Sequence, residues 1–208
     1  MFLSLNEGQN KQNLELERLK ETLSKRENRI DMKLENILDK LMLELKPVSI
    51  FMYGSRARTD FQKDSDHEMA LVFTKDNYHT KSEIDKIFKD EQFSIFPYEL
   101  EALKECEIDT PFQKNIYIKS LIEGGAKTLR GEKIIENLKS PEISLFDIIS
   151  DVRMNMGYAL AAVISMKNGD NKTAYNNFFK SCMYGTRALE MLYDKKLNVQ
   201  YDKIYNDS

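Results

Sequence analysis

Apolar residues fall into helical register at Ile30, Leu34, Ile37, Leu38, Leu41 and Leu45, offsets that lay one stripe along a helix. Pro47 lacks a backbone donor and stops that helix. Two short runs rich in β-branched, aliphatic and aromatic residues follow, 48–53 and 68–73, divided by a polar, charged segment. They read as two strands of one sheet. Thr80-x-x-Glu83 has the form of a capping box and opens a helix bearing Ile84, Ile87 and Phe88. The run 93–98 reads as a third strand, with Pro97 near its end. Pro111 precedes a further helical stretch carrying Phe112, Ile116 and Ile122, which Gly124-Gly125 closes as a C-cap pair.

The pattern changes after Ser140-Pro141. Ile148, Val152, Met156, Ala159 and Val163 recur at steps of three and four, and Asn168-Gly169-Asp170 supplies a turn. Ala174, Phe178, Cys182, Gly185, Leu189 and Leu192 then repeat the spacing. The C-terminal third is thus expected to be an antiparallel helical hairpin, Tyr158, Tyr175 and Tyr184 serving as core or interface. Two helices bury too little surface to stand alone, so the hairpin must pack on the preceding domain or on another subunit, possibilities that include a homodimer. The expected fold class is α+β: a small mixed-sheet domain over 28–139, a helical hairpin or bundle domain over 140–208, and a charged N-terminal arm over 1–27.

Charge narrows the partners. Thirty-one Lys and Arg against 34 Asp and Glu give a net charge of -3, without the basic footprint of a protein that wraps a nucleic-acid polymer. Cys106 and Cys182 match no metal or redox spacing and are expected to be buried, reduced thiols. No run approaches the ~18 apolar residues of a membrane span and the start lacks a basic leader, so no membrane partner is expected and the expected location is the cytoplasm.

The chemistry concentrates between the first two strands. Gly54-Ser55, directly after a strand, lets backbone approach a ligand closely, and a helix starting there would turn free N–H groups toward phosphate. Eleven residues on, Asp66 and Glu68 stand two apart at the start of a strand, so their carboxylates share a face while His67 points away. Two carboxylates side by side repel unless a divalent cation lies between them, and magnesium carrying substrate phosphates is the usual occupant. Arg56 or Arg58 is placed to meet phosphate oxygens.

This segment resembles the signature of the nucleotidyltransferase superfamily, a Gly-Ser followed by Ala-Arg-Gly-Asp, a spacer, then Ser-Asp-x-Asp and an apolar strand. Gly54, Ser55, Ala57, Arg58, Asp60, Ser65 and Asp66 match it, while Thr59 replaces a Gly and Glu68 replaces the second Asp. A weaker likeness runs through 124–131, similar to the Gly-x-x-Leu-Tyr-Gly turn that ends many minimal domains of this kind, so the resemblance covers about 30–135. It implies transfer of a nucleoside monophosphate, by default AMP from ATP, onto an acceptor hydroxyl of a small molecule such as an antibiotic or of a protein side chain. It implies Mg2+ held by Asp66 and Glu68 and nucleotide held by Gly54, Ser55 and Arg58.

Members of that family carry a third carboxylate on the strand after the intervening helix. Alignment sets Ser94 at that position, with Glu91, Glu99 and Glu101 as nearby substitutes, and Glu99 is the foremost candidate for the third catalytic carboxylate. The alternative implied by Ser94 and Glu68 is a degenerate fold that binds nucleotide or a partner without chemistry. The hairpin is also faintly similar to the HEPN group of helical partner domains, whose ribonucleases use an Arg-x(4-6)-His motif. His67 and His79 both lie outside the hairpin, so that activity is not expected. Arg153, Arg187 and Glu190 on the hairpin read as surface residues.

Overall fold

The computed structural model describes residues 32–58, 65–110 and 112–199. The reading of the first 27 residues as an arm, and the match of Thr59 and Asp60, lie outside the described residues. The chain divides into two compact units, through Leu45 and from Lys46 onward. The first contains helix α1, residues 32–45, in which the anticipated stripe of Ile37, Leu38, Leu41 and Leu45 is buried.

The second unit is built on a mixed four-stranded sheet: β1 (Ser49–Tyr53), β2 (His67–Phe73), β3 (Phe93–Glu99) and β4 (Lys127–Gly131), in the order β3-β2-β1-β4. β1 pairs antiparallel with β2 and β4, and β2 pairs parallel with β3. β3 runs two residues past Pro97, which an edge strand tolerates because one side of its backbone needs no ladder partner. β4 is the other edge; its polar Lys-Thr-Leu-Arg-Gly sequence reads as a turn, yet it pairs with β1 through a register shift between Ile50 and Phe51. Gly131 at its end has φ of +78°, and a Cβ there would stand 2.2 Å from the Val48 carbonyl oxygen.

Alternation along the strands sends Phe51, Ala70, Val72 and Tyr98 to one face. There they pack with Leu103 of α4 (Leu100–Lys104), Ile118 and Leu121 of α5 (Lys114–Glu123) and Ile134 and Ile135 of α6 (Ile134–Asn137). A one-turn helix α2 (Ser55–Arg58) follows β1, and a 3-10 turn (Lys75–Asn77) leads to α3 (Lys81–Ile87). Both halves of the Thr80/Glu83 capping box are present at the start of α3. α5 begins two residues later than Phe112, because Gln113 caps it by accepting the Ile116 N–H at 2.8 Å, and it ends at Gly124.

The C-terminal hairpin consists of α7 (Leu145–Lys167) and α8 (Asn171–Tyr193), joined through Gly169 at φ of +79°. Ser144 and Asp147 form a reciprocal capping box at the start of α7. The hairpin packs on α5: Ile116 meets Ile148, Ala188, Met191 and Leu197, and Gln113 and Asn115 donate to the Asp147 carboxylate.

Its facing differs from expectation. Val152, Met156 and Val163 on α7, and Phe178, Leu189 and Leu192 on α8, are exposed, and Cys182, expected to be buried, is exposed too. α7 instead buries Asp147, Asp151 and Asn155, with Arg187 of α8 donating to Asp151 at 3.1 Å. Asp151 lies inside because Arg187 and Asn155 lie inside with it, while Asn155 Oδ1, Arg187 Nε and Glu190 Oε1 are buried without a hydrogen-bond partner among the described residues. Arg187 and Glu190, expected at the surface, are mostly buried: Glu190 accepts from Asn198 at 3.1 Å, and the Arg187 guanidinium also lies 4.8 Å from the Tyr184 ring. Tyr158 and Tyr184 meet each other across the hairpin, while Tyr175 is exposed. No described helix is long and apolar enough to cross a membrane.

Candidate functional site

Tyr53 at the end of β1 pairs directly with Glu68 of β2. The next residue, Gly54, takes φ of +76°, and a Cβ on it would lie 1.8 Å from Oε2 of Glu68 and 2.7 Å from Cδ. Glycine is therefore demanded twice, once by the left-handed backbone and once by the carboxylate seated over its Cα. This seat brings the two halves of the signature together in space.

Ser55 starts α2 at once, as a phosphate-cradling turn requires. The helix is only four residues long, so what it offers is the free N–H groups of its first turn and the Ser55 hydroxyl, not a developed macrodipole. Arg56 does not point at a prospective ligand. Its Nε and Nη2 both donate to the Ser65 carbonyl, at 3.1 and 2.8 Å, fastening the turn after β1 to the residue before Asp66. Arg58 remains near the carboxylates, and its charge acts on Glu68.

Asp66 stands one residue ahead of β2, on the same face as Glu68 by strand alternation. His67 projects to the opposite face, where its ring stacks on Phe93 at 4.9 Å. Burial pushes the Glu68 carboxyl above its ordinary value, and the nearby Asp66 carboxylate pushes it further. Arg58 and Lys180 pull it the other way. Glu68 thus sits buried beside a like charge, with two cationic side chains supplying partial relief.

The register of β2 and β3 sets Ser94 opposite Glu68, and the Ser94 hydroxyl donates to Oδ2 of Asp66. Glu99 is elsewhere. It pairs with Phe73, five residue pairs along the strand, or about 16 Å at a strand's rise, and alternation turns it to the other face of the sheet. There its charge acts on Tyr78 together with Asp109. Glu99 is accordingly corrected from third carboxylate to the residue joining β3 to α4. Glu101 pairs with Lys104 at 2.9 Å, and Glu91 lies exposed in the turn before β3. Among the described residues, no group of three or more His, Cys, Asp or Glu side chains is arranged to hold a metal ion.

Two further features belong to the site. One is a tyrosine cluster beside Glu68: the hydroxyls of Tyr98 and Tyr117 lie 2.9 Å apart, and Tyr53 bonds into the same group. Burial, then the neighbouring tyrosines and Glu68, push the Tyr53 hydroxyl far above the ordinary tyrosine range, so it stays protonated. The other is Lys180 of α8, whose Nζ lies 5.8 Å from the centre of the Tyr158 ring and whose charge reaches Glu68. Tyr53 was findable as the residue preceding the Gly-Ser turn. Lys180 is one lysine among many on charged helices, and only tertiary structure sets it apart.

No protein-family model and no curated protein matches this chain.

Proposed function

We propose that this chain is a magnesium-dependent nucleotidyltransferase that moves a nucleoside monophosphate, AMP from ATP, onto an acceptor hydroxyl. The observation that carries the reading is the seat of the Glu68 carboxylate over Gly54. It joins a phosphate-type turn to a repelling pair of carboxylates, a combination that a nucleoside triphosphate with its cation would satisfy on both sides.

In this reading the acceptor hydroxyl oxygen attacks the α-phosphorus in line and gives up its proton to solvent, the bond to the bridging oxygen breaks, and pyrophosphate leaves. Asp66 and Glu68 would hold the magnesium ion, which when bound neutralises charge on the triphosphate. The N–H groups of α2 and the Ser55 hydroxyl orient the phosphates, and Arg58 adds positive charge beside them. Lys180 supplies a second cation, and the attached hairpin that carries it favours a cleft for a small-molecule acceptor, an antibiotic for example, over a protein side chain. The free thiols of Cys106 and Cys182 fit a reducing cytoplasm.

Calorimetric titration of ATP with magnesium into wild type and Asp66→Ala tests this. We expect magnesium-dependent binding that the variant loses, together with pyrophosphate release in the presence of an acceptor. Absence of ATP binding in wild type overturns the reading.

Ser94 favours a second reading. Its hydroxyl occupies the position aligned with a third carboxylate, so a degenerate fold that holds nucleotide or a partner without turnover fits that one contact better. Magnesium-dependent ATP binding with no pyrophosphate release across a broad acceptor panel would select it.

A further inference from the structure

α7 and α8 each carry an apolar seam that nothing in the described chain covers. On α7 the seam steps from Leu145 through Ile149, Val152 and Met156 to Val163 and Met166, at alternating intervals of four and three once Ala159 is included. On α8 the same intervals select Tyr175, Phe178, Cys182, Gly185, Leu189 and Leu192. This is the spacing by which helices mesh side chains with further helices. It is distinct from the α7–α8 contact itself, in which Asp151 and Asn155 of α7 accept from Arg187 and Ser181 of α8.

Both seams lie on one side of the hairpin. At about 100° per residue, each seam stands roughly a third of a turn from its helix's inward face, in the same rotational sense. Antiparallel helices related that way present their seams together. Lys180 lies nine residues before Leu189, about half a turn away, so the side that reaches Glu68 is opposite the apolar side.

The area is what a stable dimer needs. Ten large hydrophobic side chains on the two seams are 38–70% exposed, which at about 150–200 Å² each leaves on the order of 800–1,100 Å² of apolar surface. The largest patch on an ordinary monomer is about 300–600 Å², whereas a standard interface buries about 800 Å² per partner.

We infer that the hairpin face defined by the two seams binds the same face of a second copy of this chain, closing a symmetric four-helix bundle with the Glu68 side left open. Isologous pairing uses the same face on both copies, so the two helices of each hairpin together make the four of the bundle.

Sedimentation velocity of the full chain, wild type against Val152→Glu/Leu189→Glu, tests this. Both positions are exposed in the monomer, so the variant should keep its far-UV spectrum. We expect wild type to sediment as twice 24.3 kDa, the double variant to dissociate with a constant raised more than about 100-fold, and Cys182 to alkylate slowly in the first and rapidly in the second. A monomeric wild type overturns the inference, as does a double variant that keeps its dimer. Partition onto anionic vesicles without self-association assigns the face to lipid and overturns it. So does a dimer seen only after residues 1–31 are removed, which would assign the face to this chain's own N-terminal segment.

Discussion

The Ser94 hydroxyl donates to the Asp66 carboxylate from the strand position that faces Glu68. That bond is worth about 1.5–3 kcal/mol in comparable charge-assisted cases, and it takes one lone pair from a carboxylate that a metal would otherwise use. Ser94→Asp removes the donor and adds a third like charge, so in chelator the variant should be less stable than wild type by about 2–4 kcal/mol. Millimolar magnesium should restore most of the loss. Melting curves with and without magnesium decide it, and a variant whose melting ignores magnesium would mean that the Asp66/Glu68 pair is no cation site.

Gly54→Ala should be destabilising for two separable reasons. The left-handed φ of +76° costs a non-glycine residue about 1–3 kcal/mol, and the new methyl collides with Glu68 Oε2. Adding Glu68→Ala removes the collision but not the backbone strain. The double variant is therefore expected to be more stable than the sum of the single losses predicts, with a coupling of at least about 1 kcal/mol by urea unfolding. Strict additivity would show that the carboxylate does not sit over Gly54.

Glu68 also gives the apoprotein a pH signature. Its folded carboxyl binds a proton more tightly than the ordinary value of 4.5 because of burial and then Asp66. The folded state thus holds more protons than the unfolded state between that value and the raised one, and stability falls as pH rises through this window. Glu68→Gln carries no such charge. It should be more stable than wild type at pH 7.5 without divalent ions, and the gap should close below about pH 4.5. Urea midpoints at the two pH values measure it; an equal gap at both would assign the stabilisation to something other than the Glu68 charge.

How much was legible from sequence follows from which forces are local. β1, β2 and the capped start of α3 were readable because composition and the Thr80/Glu83 spacing act within a few residues. The Gly54-Ser55 and Asp66/Glu68 elements were readable as a pair because strand alternation alone puts Asp66 and Glu68 on one face. The alignment of Ser94 matches its pairing with Glu68, and Glu99, an odd five residues further along the same strand, is turned to the other face by alternation, so it substitutes for Ser94 only if the strand ends before it. β4 was missed since an edge strand exposed on both flanks needs no apolar residues. On the hairpin, periodicity marked both helices and their seams but assigned those seams to the inside. The interior went instead to Asp147, Asp151 and Asn155, and the burial of the two aspartates depends on partners 30 or more residues away.

That interior supplies a further prediction. Asp151 is 1% exposed, and both of its oxygens are engaged, by Arg187 at 3.4 and 3.1 Å and by Asn155 at 3.1 Å. Asp151→Ala leaves the Arg187 guanidinium, mostly buried beside Tyr184, without its counter-charge. Removing one partner of such a pair costs about 3–5 kcal/mol when both are fully buried, and the partial exposure of Arg187 lowers the expectation to about 2–4 kcal/mol. Adding Arg187→Met should recover a large part of that loss, because an apolar pair of similar volume avoids the desolvation of either charge. Urea unfolding of the single and double variants measures both steps. If Asp151→Ala alone is within about 0.5 kcal/mol of wild type, the buried polar contact between α7 and α8 does not hold the hairpin together.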